Sequence, residues 1–261
     1  MRVQELFDLT GKVALVTGGG RGIGKFISRG LAEAGADVAM GSRKIQNCQE
    51  VAEELKKLGV RTLPVECDMA KVEDIERFIE ATMKAFGRVD ILVNNAGTTW
   101  GAPTLEYPLD KWERIMAVNV RGPFLMSQKV AKVMVPQGGG KIINVASIQG
   151  LQGAPEETHP AIAYNTSKGG LITMTKDLAV KLARFNIQVN AIAPGFFRTD
   201  MTAYIETEPY KFAREELIKA IPMKRGAGEE DIKGLAVFLA SAASNYMTGE
   251  IIRVDGGLLA Q

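Results

Sequence analysis

The sequence predicts an α/β fold, a doubly wound parallel sheet with helices on both faces. Short apolar runs rich in β-branched residues alternate with longer amphipathic stretches from one end of the chain to the other. Several of the short runs are continuously apolar, which is typical of strands whose two faces are both covered. This alternation, without a linker, repeat or low-complexity tract, indicates one domain spanning residues 1–261.

Seven runs are expected to form the strands of this sheet. They cover residues 12–17, 37–41, 61–67, 89–94, 140–147, 187–193 and 250–254. Two of the helical stretches between them end at Gly35 and Gly59, because glycine readily adopts the left-handed backbone that ends many helices. At about 196–222, a helical sequence follows a predicted strand and interrupts the regular alternation of strands and helices. A segment inserted above the carboxyl end of a parallel sheet is well placed to cover a substrate, so we expect a lid there.

The composition is that of an ordinary globular protein, with 46% hydrophobic and 24% charged residues. The net charge is +2, and the basic residues are scattered, which argues against a nucleic-acid or membrane surface. No apolar run approaches the length of a membrane span, and the first twelve residues read as a mature N-terminus. Cys48 and Cys67 have no CxxC spacing, so we expect free thiols in the cytoplasm, with neither a disulfide nor a metal site.

A glycine-rich turn follows the first strand directly, in the sequence "TGGGRGIG". Gly18, Gly22 and Gly24 lie between a strand and a helix, which is the context of a dinucleotide-binding fingerprint. Glycine lets the backbone approach a pyrophosphate, and the N-terminus of the helix offers free N–H donors to it. A tight turn without a ligand is the structural alternative.

The residues after the second strand favour NADP(H) over NAD(H). In many NAD-binding proteins, a carboxylate at this position accepts hydrogen bonds from the ribose hydroxyls. Here the sequence is "GSRK", in which Arg43 follows Ser42 and no carboxylate is present. Arg43, together with Arg21 from the glycine turn, is suited to bind a 2′-phosphate. If both arginines are only solvated surface residues, NAD(H) remains possible.

A serine, a tyrosine and a lysine follow the fifth strand in a pattern that suits carbonyl chemistry. Lys168 lies one helical turn after Tyr164, on the same face if the helix begins near Tyr164. An adjacent ammonium favours the phenolate, so Lys168 is expected to lower the pKa of Tyr164 toward the working pH. The phenol then donates a proton to an oxygen or accepts one from it, while Ser147 holds that oxygen by a hydrogen bond.

These motifs together resemble those of the short-chain dehydrogenase/reductase family, and the match covers essentially the whole chain. "TGGGRGIG" resembles the family's cofactor turn, "NNAG" (94–97) its loop after the fourth strand, and "YNTSK" (164–168) its catalytic tyrosine and lysine. The resemblance implies a Rossmann fold and an NAD(P)-dependent oxidoreductase acting on CH–OH groups.

The resemblance also implies roles for individual residues. Ser147, Tyr164, Lys168 and Asn119 match the catalytic positions, with Asn119 ordering a water that links the lysine to solvent. Asp68 falls where the family contacts the adenine amino group. The implied cofactor-binding set is Gly18, Arg21, Gly22, Ile23, Gly24, Ser42, Arg43, Asp68, Met69, Asn95, Ala96, Gly97, Tyr164, Lys168, Pro194, Gly195 and Thr199.

The chain departs from the family pattern between Ser147 and Tyr164, where sixteen residues intervene, more than the family usually has. The extra residues fall in "GLQGAPEETHP" and are expected to enlarge the wall of the substrate pocket. His159, the only histidine, lies in this insertion, and we interpret it as a polar residue at the pocket rim. Trp100, Gln149 and His159 are the candidate substrate contacts.

Three functions remain open from the sequence. The first is reduction of a 3-oxoacyl thioester of acyl carrier protein or coenzyme A, because "NNAGTTWGAP" resembles the reductases of hydroxy-fatty-acid pathways. The second is a sugar-acid or polyol dehydrogenase such as a gluconate 5-dehydrogenase. The third is a non-catalytic nucleotide-binding regulator, which loss of the serine, tyrosine or lysine would favour. The resemblance and two strongly apolar helices further indicate a homotetramer.

Overall fold

A computed structural model of the chain describes residues 2–199, 202 and 211–261. Its centre is a seven-stranded, fully parallel sheet with the strand order β3-β2-β1-β4-β5-β6-β7. The strands are β1 Val13–Thr17, β2 Asp37–Ser42, β3 Thr62–Glu66, β4 Ile91–Asn94, β5 Gly140–Val145, β6 Ile187–Pro194 and β7 Ile251–Val254. Every predicted strand is confirmed, with each boundary within two residues of its predicted position.

Helices connect the strands and cover the sheet. In the described part of the chain they are α1 Val3–Leu6, α2 Gly22–Glu33, α3 Ile45–Lys56, α4 Val72–Phe86, α5 Leu109–Met116, α6 Gly122–Met134, α7 Ile162–Leu182, α8 Lys211–Ala220 and α9 Glu230–Ala240. Gly35 and Gly59 follow α2 and α3 in the left-handed conformation, with φ of +98° and +86°, as predicted for these helix ends.

Two apolar layers, one on each face of the sheet, form the core. On one face, α2, α3 and α9 contribute buried residues such as Ile27, Val51 and Ile232. On the other face, Phe78 of α4 and Met126 of α6 are among the buried residues. Successive side chains of a strand point to opposite faces, so both layers draw on the same strands. This arrangement explains the continuously apolar strand sequences and confirms the doubly wound fold.

A buried chain of polar side chains crosses the centre of the sheet. Asn94 Nδ2 on β4 donates to Ser127 Oγ on α6 (3.0 Å) and to Asn144 Oδ1 on β5 (2.9 Å). Asn144 Nδ2 in turn donates to Thr175 Oγ1 on α7 (2.9 Å). Buried amides are costly unless they are hydrogen-bonded, so this network specifies how α6 and α7 sit on the two strands.

The predicted lid at 196–222 lies partly outside the described residues, because residues 200, 201 and 203–210 are not described. Around that gap, Phe197 forms an isolated parallel bridge with Ala227, and α8 begins at Lys211. Gln261 Nε2 donates to Ala220 O (3.0 Å), which ties the last residue of the chain to the end of α8. None of the helices in the described residues has the length and apolar character needed to span a membrane.

Candidate active site

A cleft of about 240 Å³ opens where the carboxyl ends of the parallel strands meet the loops that follow them. Every residue of the predicted cofactor-binding set lines this cleft, and Ser147 lies on its wall as well. In the sheet, β1 lies between β2 and β4. Strands β2 and β3 are added on one side of β1 and strands β4 to β7 on the other, so the order of strand addition reverses at β1. Such a switch point is where open α/β sheets bind nucleotides.

At one end of the cleft, the backbone segments of the glycine turn pack closely against each other. Gly18 and Gly22 have φ of +67° and +52°, in the left-handed region that favours glycine. A Cβ atom at Gly24 would collide with the carbonyl oxygen of Gly18, and one at Gly22 would lie 3.3 Å from Thr199 Cβ on the opposite wall. Side chains here would fill the space beside the N-terminus of α2, so the turn fits a pyrophosphate.

Asn95 holds this turn in place from the loop after β4. Its Nδ2 donates to Thr17 O (3.0 Å) and Gly18 O (3.1 Å), while its backbone N–H and that of Ala96 both donate to Thr17 Oγ1 (3.0 Å). The side-chain amide of Asn95 is therefore bonded within the protein, although the residue lines the cleft. Its contribution to cofactor binding is to shape the wall.

Two basic side chains and one carboxylate line the cleft wall in the glycine turn and after β2 and β3: Arg21, Arg43 and Asp68. Arg21 and Arg43 are exposed, and neither guanidinium makes a hydrogen bond or an ion pair with another described residue. Arg114 Nη2 donates to both carboxylate oxygens of Asp68 (3.0 and 2.9 Å). Burial alone would raise the pKa of Asp68, but the Ala70 N–H, Arg114 and the nearby Arg43 outweigh it and lower that pKa. Asp68 therefore stays ionised between two guanidinium groups.

Tyr164 and Lys168, the predicted catalytic tyrosine and lysine, lie on the first turns of α7. Lys168 is 4% exposed, and its Nζ donates to the carbonyl oxygen of Val145 at the end of β5 (2.7 Å). Nζ also lies 5.6 Å from the centre of the Tyr164 ring. An ammonium has three donors, so two N–H groups of Lys168 remain for a ligand in the cleft.

Ser147 differs slightly from its predicted place, because β5 ends at Val145 and the serine begins a 3₁₀ turn over Ile148–Gly150. Its Oγ accepts the backbone N–H of Gln149 (3.2 Å). That bond orients the hydroxyl and leaves its hydrogen free to be donated. Gly150 lies against the backbone of Lys168 and Gly169, where a Cβ atom would come within 2.6 Å of Lys168 C. The turn is therefore packed directly on α7.

The expected effect of Lys168 on the pKa of Tyr164 is wrong for this structure. Burial raises the pKa of the Tyr164 phenol, and a hydrogen bond with Ser147 opposes the rise. Burial also lowers the pKa of Lys168 to about 8. The Tyr164 side chain is poorly hydrated, and this desolvation disfavours the charged phenolate. This environment favours the neutral form of the Tyr164 phenol.

Asn119 is fully buried in a π-helical turn, Ala117–Arg121, between α5 and α6. Its Oδ1 accepts Thr98 N–H (2.9 Å), and its Nδ2 donates to Thr98 O and Ser167 Oγ (both 2.9 Å). The side chain is thus bonded within the protein and does not line the cleft. These bonds hold the loop after β4 against α7, and the water-ordering role implied by the resemblance stays a prediction.

The three candidate substrate contacts do not line the cofactor cleft. Trp100 is 48% exposed, its carbonyl oxygen accepts the Tyr107 hydroxyl (3.0 Å), and Lys111 Nζ lies 5.1 Å from its ring centre. His159 packs against Tyr164 with 6.2 Å between ring centres and an interplanar angle of 66°. Gln149 joins Ser147 through its backbone. Two of the three therefore contact the catalytic residues themselves.

The sequence interpretation missed several residues of the cleft wall. They are Gly41, Cys67, Thr98, Val118, Val145, Ala146, Phe197 and Thr202. Most directly adjoin a predicted site residue in the chain, so extending each motif by one residue would have found them. Thr202 is different: its Oγ1 accepts Thr199 N–H (3.0 Å) and donates to Phe197 O (2.8 Å), an arrangement that only the folded loop shows.

Comparison with known proteins agrees with this site. A family model described as enoyl-(acyl carrier protein) reductase matches residues 18–259. The 3-oxoacyl-(acyl-carrier-protein) reductase of Aquifex aeolicus is 39% identical, over 96% of this chain and 98% of that protein. The 2-dehydro-3-deoxy-D-gluconate 5-dehydrogenase of Dickeya dadantii is 40% identical, over 98% of each chain. The chain belongs to the short-chain dehydrogenase/reductase family.

A solved structure is similar over the full length of both chains. It is a gluconate 5-dehydrogenase from Burkholderia cenocepacia in complex with NADP and tartrate, with a TM-score of 0.91 and 35% identity over 100% of each chain. Family membership and these relatives define the protein as an oxidoreductase that acts on CH–OH groups and uses a nicotinamide cofactor. When bound, that cofactor supplies or accepts the hydride.

Replacing Tyr164 with Phe should abolish most turnover, because it removes the proton donor and keeps the ring. We expect kcat to fall by about 10²–10⁴-fold, the usual contribution of a positioned acid–base group. The dissociation constant for NADPH, measured by fluorescence titration, should stay within a few-fold of wild type. Lys168→Ala is the contrasting variant and should lose both activity and cofactor affinity. Activity of Tyr164→Phe near the wild-type level would contradict the assignment.

Proposed function

We propose that the protein is an NADPH-dependent reductase that interconverts a ketone and a secondary alcohol. The observation that carries the proposal is the position of Tyr164, Ser147 and Lys168 on the wall of the dinucleotide-shaped cleft. Ser147 has a hydroxyl hydrogen to donate to a carbonyl oxygen, and Tyr164 has a proton to deliver to it. All three groups are present, which disfavours the non-catalytic regulator.

The neutral form of Tyr164 suits it to act as the proton donor when a ketone is reduced. Burial raises the pKa of the phenol, so the proton is held until an oxygen with developing negative charge accepts it. Lys168, with its pKa lowered to about 8, is near the range in which it can itself gain or lose a proton.

The basic residues at the far end of the cleft support NADP(H) as the preferred cofactor. Arg43 and Arg21 line the cleft and are exposed, and no carboxylate follows β2 where one would bind ribose hydroxyls. Asp68 is held by Arg114, so it does not compete for Arg43 through a direct ion pair. The Burkholderia cenocepacia relative contains NADP.

Two substrate classes are candidates, and specific observations favour each of them. A 3-oxoacyl thioester is favoured by the resemblance to acyl-carrier-protein reductases and by the exposed apolar side chains of Trp100 and Leu151 on loops near the site. A sugar acid is favoured by the gluconate-type relatives and by the polar side chains of Gln149 and His159 next to Ser147 and Tyr164.

The proposed function is tested by steady-state rates with NADPH on the two substrate classes side by side. Acetoacetyl-coenzyme A represents the thioesters and 5-keto-D-gluconate the sugar acids. We expect NADPH oxidation that depends on one of these ketones and is lost in Tyr164→Phe. Cofactor binding without turnover of any ketone, over a broad panel, would instead support the regulator.

Arg43→Ala should erase most of the preference for NADPH over NADH. A charge-assisted, solvent-screened contact with the 2′-phosphate is worth roughly 1–3 kcal/mol, or about tenfold to a hundredfold in specificity. The Michaelis constant for NADPH should rise by that factor, with little change for NADH. Lys44→Ala is the matched control, because Lys44 is exposed beside Arg43 but does not line the cleft. A wild-type enzyme with a higher kcat/KM for NADH would refute the proposed preference.

We also propose that the protein is a cytoplasmic homotetramer. Both cysteines are buried, free thiols, which suits a reducing compartment. A groove between α5, the π-helical turn, α6 and α7 is lined by Met116, Val120, Phe124 and Met174, with Arg114 and Arg121 among its polar residues. Phe124 is 41% exposed there, and a second copy of the same surface would bury it.

Light scattering at micromolar concentration should give a mass near four times the 28.2 kDa of one chain. Phe124→Asp should shift the distribution toward smaller species, because two copies would bring buried charges together across the groove. Val180→Asp is the control on α7, since Val180 is exposed and does not line the groove. A monomeric wild-type protein would overturn the proposal.

A further inference from the structure

The inserted segment between Ser147 and Tyr164 places an aromatic ring on the catalytic tyrosine. The ring of His159 meets the ring of Tyr164 edge-on, with 6.2 Å between ring centres and an interplanar angle of 66°. Aromatic pairs with ring centres about 4.5–7 Å apart and this orientation attract each other beyond the area that they bury. The chain's only histidine therefore packs directly on the group that donates the proton.

A hydrogen bond orients the imidazole of His159 against α7. Its partner is the side chain of Asn165, the residue that follows Tyr164 on the first turn of this helix. Burial lowers the pKa of His159, and the bond to Asn165 opposes that change. The imidazole is therefore neutral at pH 7 and adds no charge beside the phenol. His159 thus contacts two consecutive residues of α7, and the first of them is the proton donor.

The backbone of His159 is held as firmly as its ring. Its N–H donates to Pro155 O (2.9 Å), and its carbonyl oxygen accepts the N–H of Ala161 (2.8 Å). Ala161 is 5% exposed, and its own carbonyl oxygen accepts the N–H of Asn165 (3.1 Å) at the start of α7. His159 is therefore a fixed, half-buried support rather than a freely solvated residue of the rim.

A second loop holds the inserted segment from the other side. Pro160 O accepts the N–H of Ala102 (2.8 Å), and Glu156 Oε2 accepts the N–H of Thr104 (2.6 Å). A Cβ atom at Gly101 would lie 3.3 Å from Pro160 Cγ, so the two loops are also closely packed. Movement of the inserted segment away from α7 would break these contacts, and the segment is therefore braced against the helix.

We propose that His159 is a positioning residue for Tyr164, and that its ring holds the phenol in the orientation that delivers a proton to the substrate oxygen. The inference rests on the proposed function, because it concerns the same proton transfer. His159 is not among the described residues that line the cleft, so it acts through the tyrosine. Proton transfer needs the donor within hydrogen-bonding reach of its acceptor, and a misplacement of about 1 Å can cost about a hundredfold in rate.

The first test compares three substitutions of His159, with saturating NADPH and either 5-keto-D-gluconate or acetoacetyl-coenzyme A as the ketone. His159→Ala removes the ring, His159→Gln keeps a polar partner for Asn165 without the ring, and His159→Phe keeps the ring. We expect kcat to fall about tenfold in His159→Ala and His159→Gln, and to recover to within about threefold of wild type in His159→Phe. The dissociation constant for NADPH, measured by fluorescence titration, should stay at the wild-type value.

Glu157→Ala is the control in the same segment, because Glu157 is exposed, and it should leave kcat unchanged. A kcat of His159→Ala equal to that of wild type overturns the inference. A His159→Phe variant as slow as His159→Ala also overturns it, because the ring would then not be the group that matters.

A double-mutant cycle tests whether His159 acts through the tyrosine. The proton donor is absent in Tyr164→Phe, so adding His159→Ala to that variant should lower its residual rate by less than about twofold. A loss as large as in the wild-type background, or an effect confined to the KM of one ketone, would mean that His159 acts independently of Tyr164. Either result overturns the inference.

Fluorine NMR of the protein labelled with 3-fluorotyrosine gives a readout that does not depend on turnover. The resonance of Tyr164 is the one missing from Tyr164→Phe. We expect a single narrow line in wild type and His159→Phe, and a line broadened or split by alternative ring positions in His159→Ala; an equally narrow line there would overturn the inference. Failure of the proposed function looks different: ketone reduction would persist in Tyr164→Phe or be absent for every ketone. Reduction that depends on Tyr164 but not on His159 removes only the positioning role.

Discussion

The hydrogen bond from Lys168 Nζ to the carbonyl oxygen of Val145, 2.7 Å long and buried, is the contact on which the active site depends. It joins the start of α7 to the end of β5, and Gly150 packs against the same turn of the helix. Because α7 carries Tyr164 and β5 leads into Ser147, this contact sets the position of the acid relative to the carbonyl-binding hydroxyl. A buried lysine has few acceptors available, so the geometry has little freedom.

The cofactor end of the cleft is organised by backbone rather than by side chains. Thr17 and Asn95 bond the glycine turn to the loop after β4, and the glycines leave room for a pyrophosphate beside the helix N-terminus. Exposed charge lies at the rim, where Arg43 is in the same region as the bonded pair of Asp68 and Arg114. The backbone-lined turn and the exposed basic side chains thus occupy different parts of the cleft wall.

The substrate end is organised in the opposite way, by side chains on two loops that hold each other. Bonds from Ala102 to Pro160 and from Thr104 to Glu156 connect the inserted segment to the loop after β4. This pair of loops lies over a rigid sheet edge, and the ring of His159 packs on Tyr164 from it.

The sequence by itself determined the doubly wound sheet, the glycine turn and the identity of Ser147, Tyr164 and Lys168, because periodicity and motif spacing are local properties of the chain. It did not determine the pKa of Tyr164 or the bonding of Asn119. Only the tertiary structure decided that burial raises the pKa of Tyr164 and that the Asn119 amide binds Thr98 and Ser167. Desolvation and hydrogen-bond partners depend on residues distant in the chain that meet only in the fold.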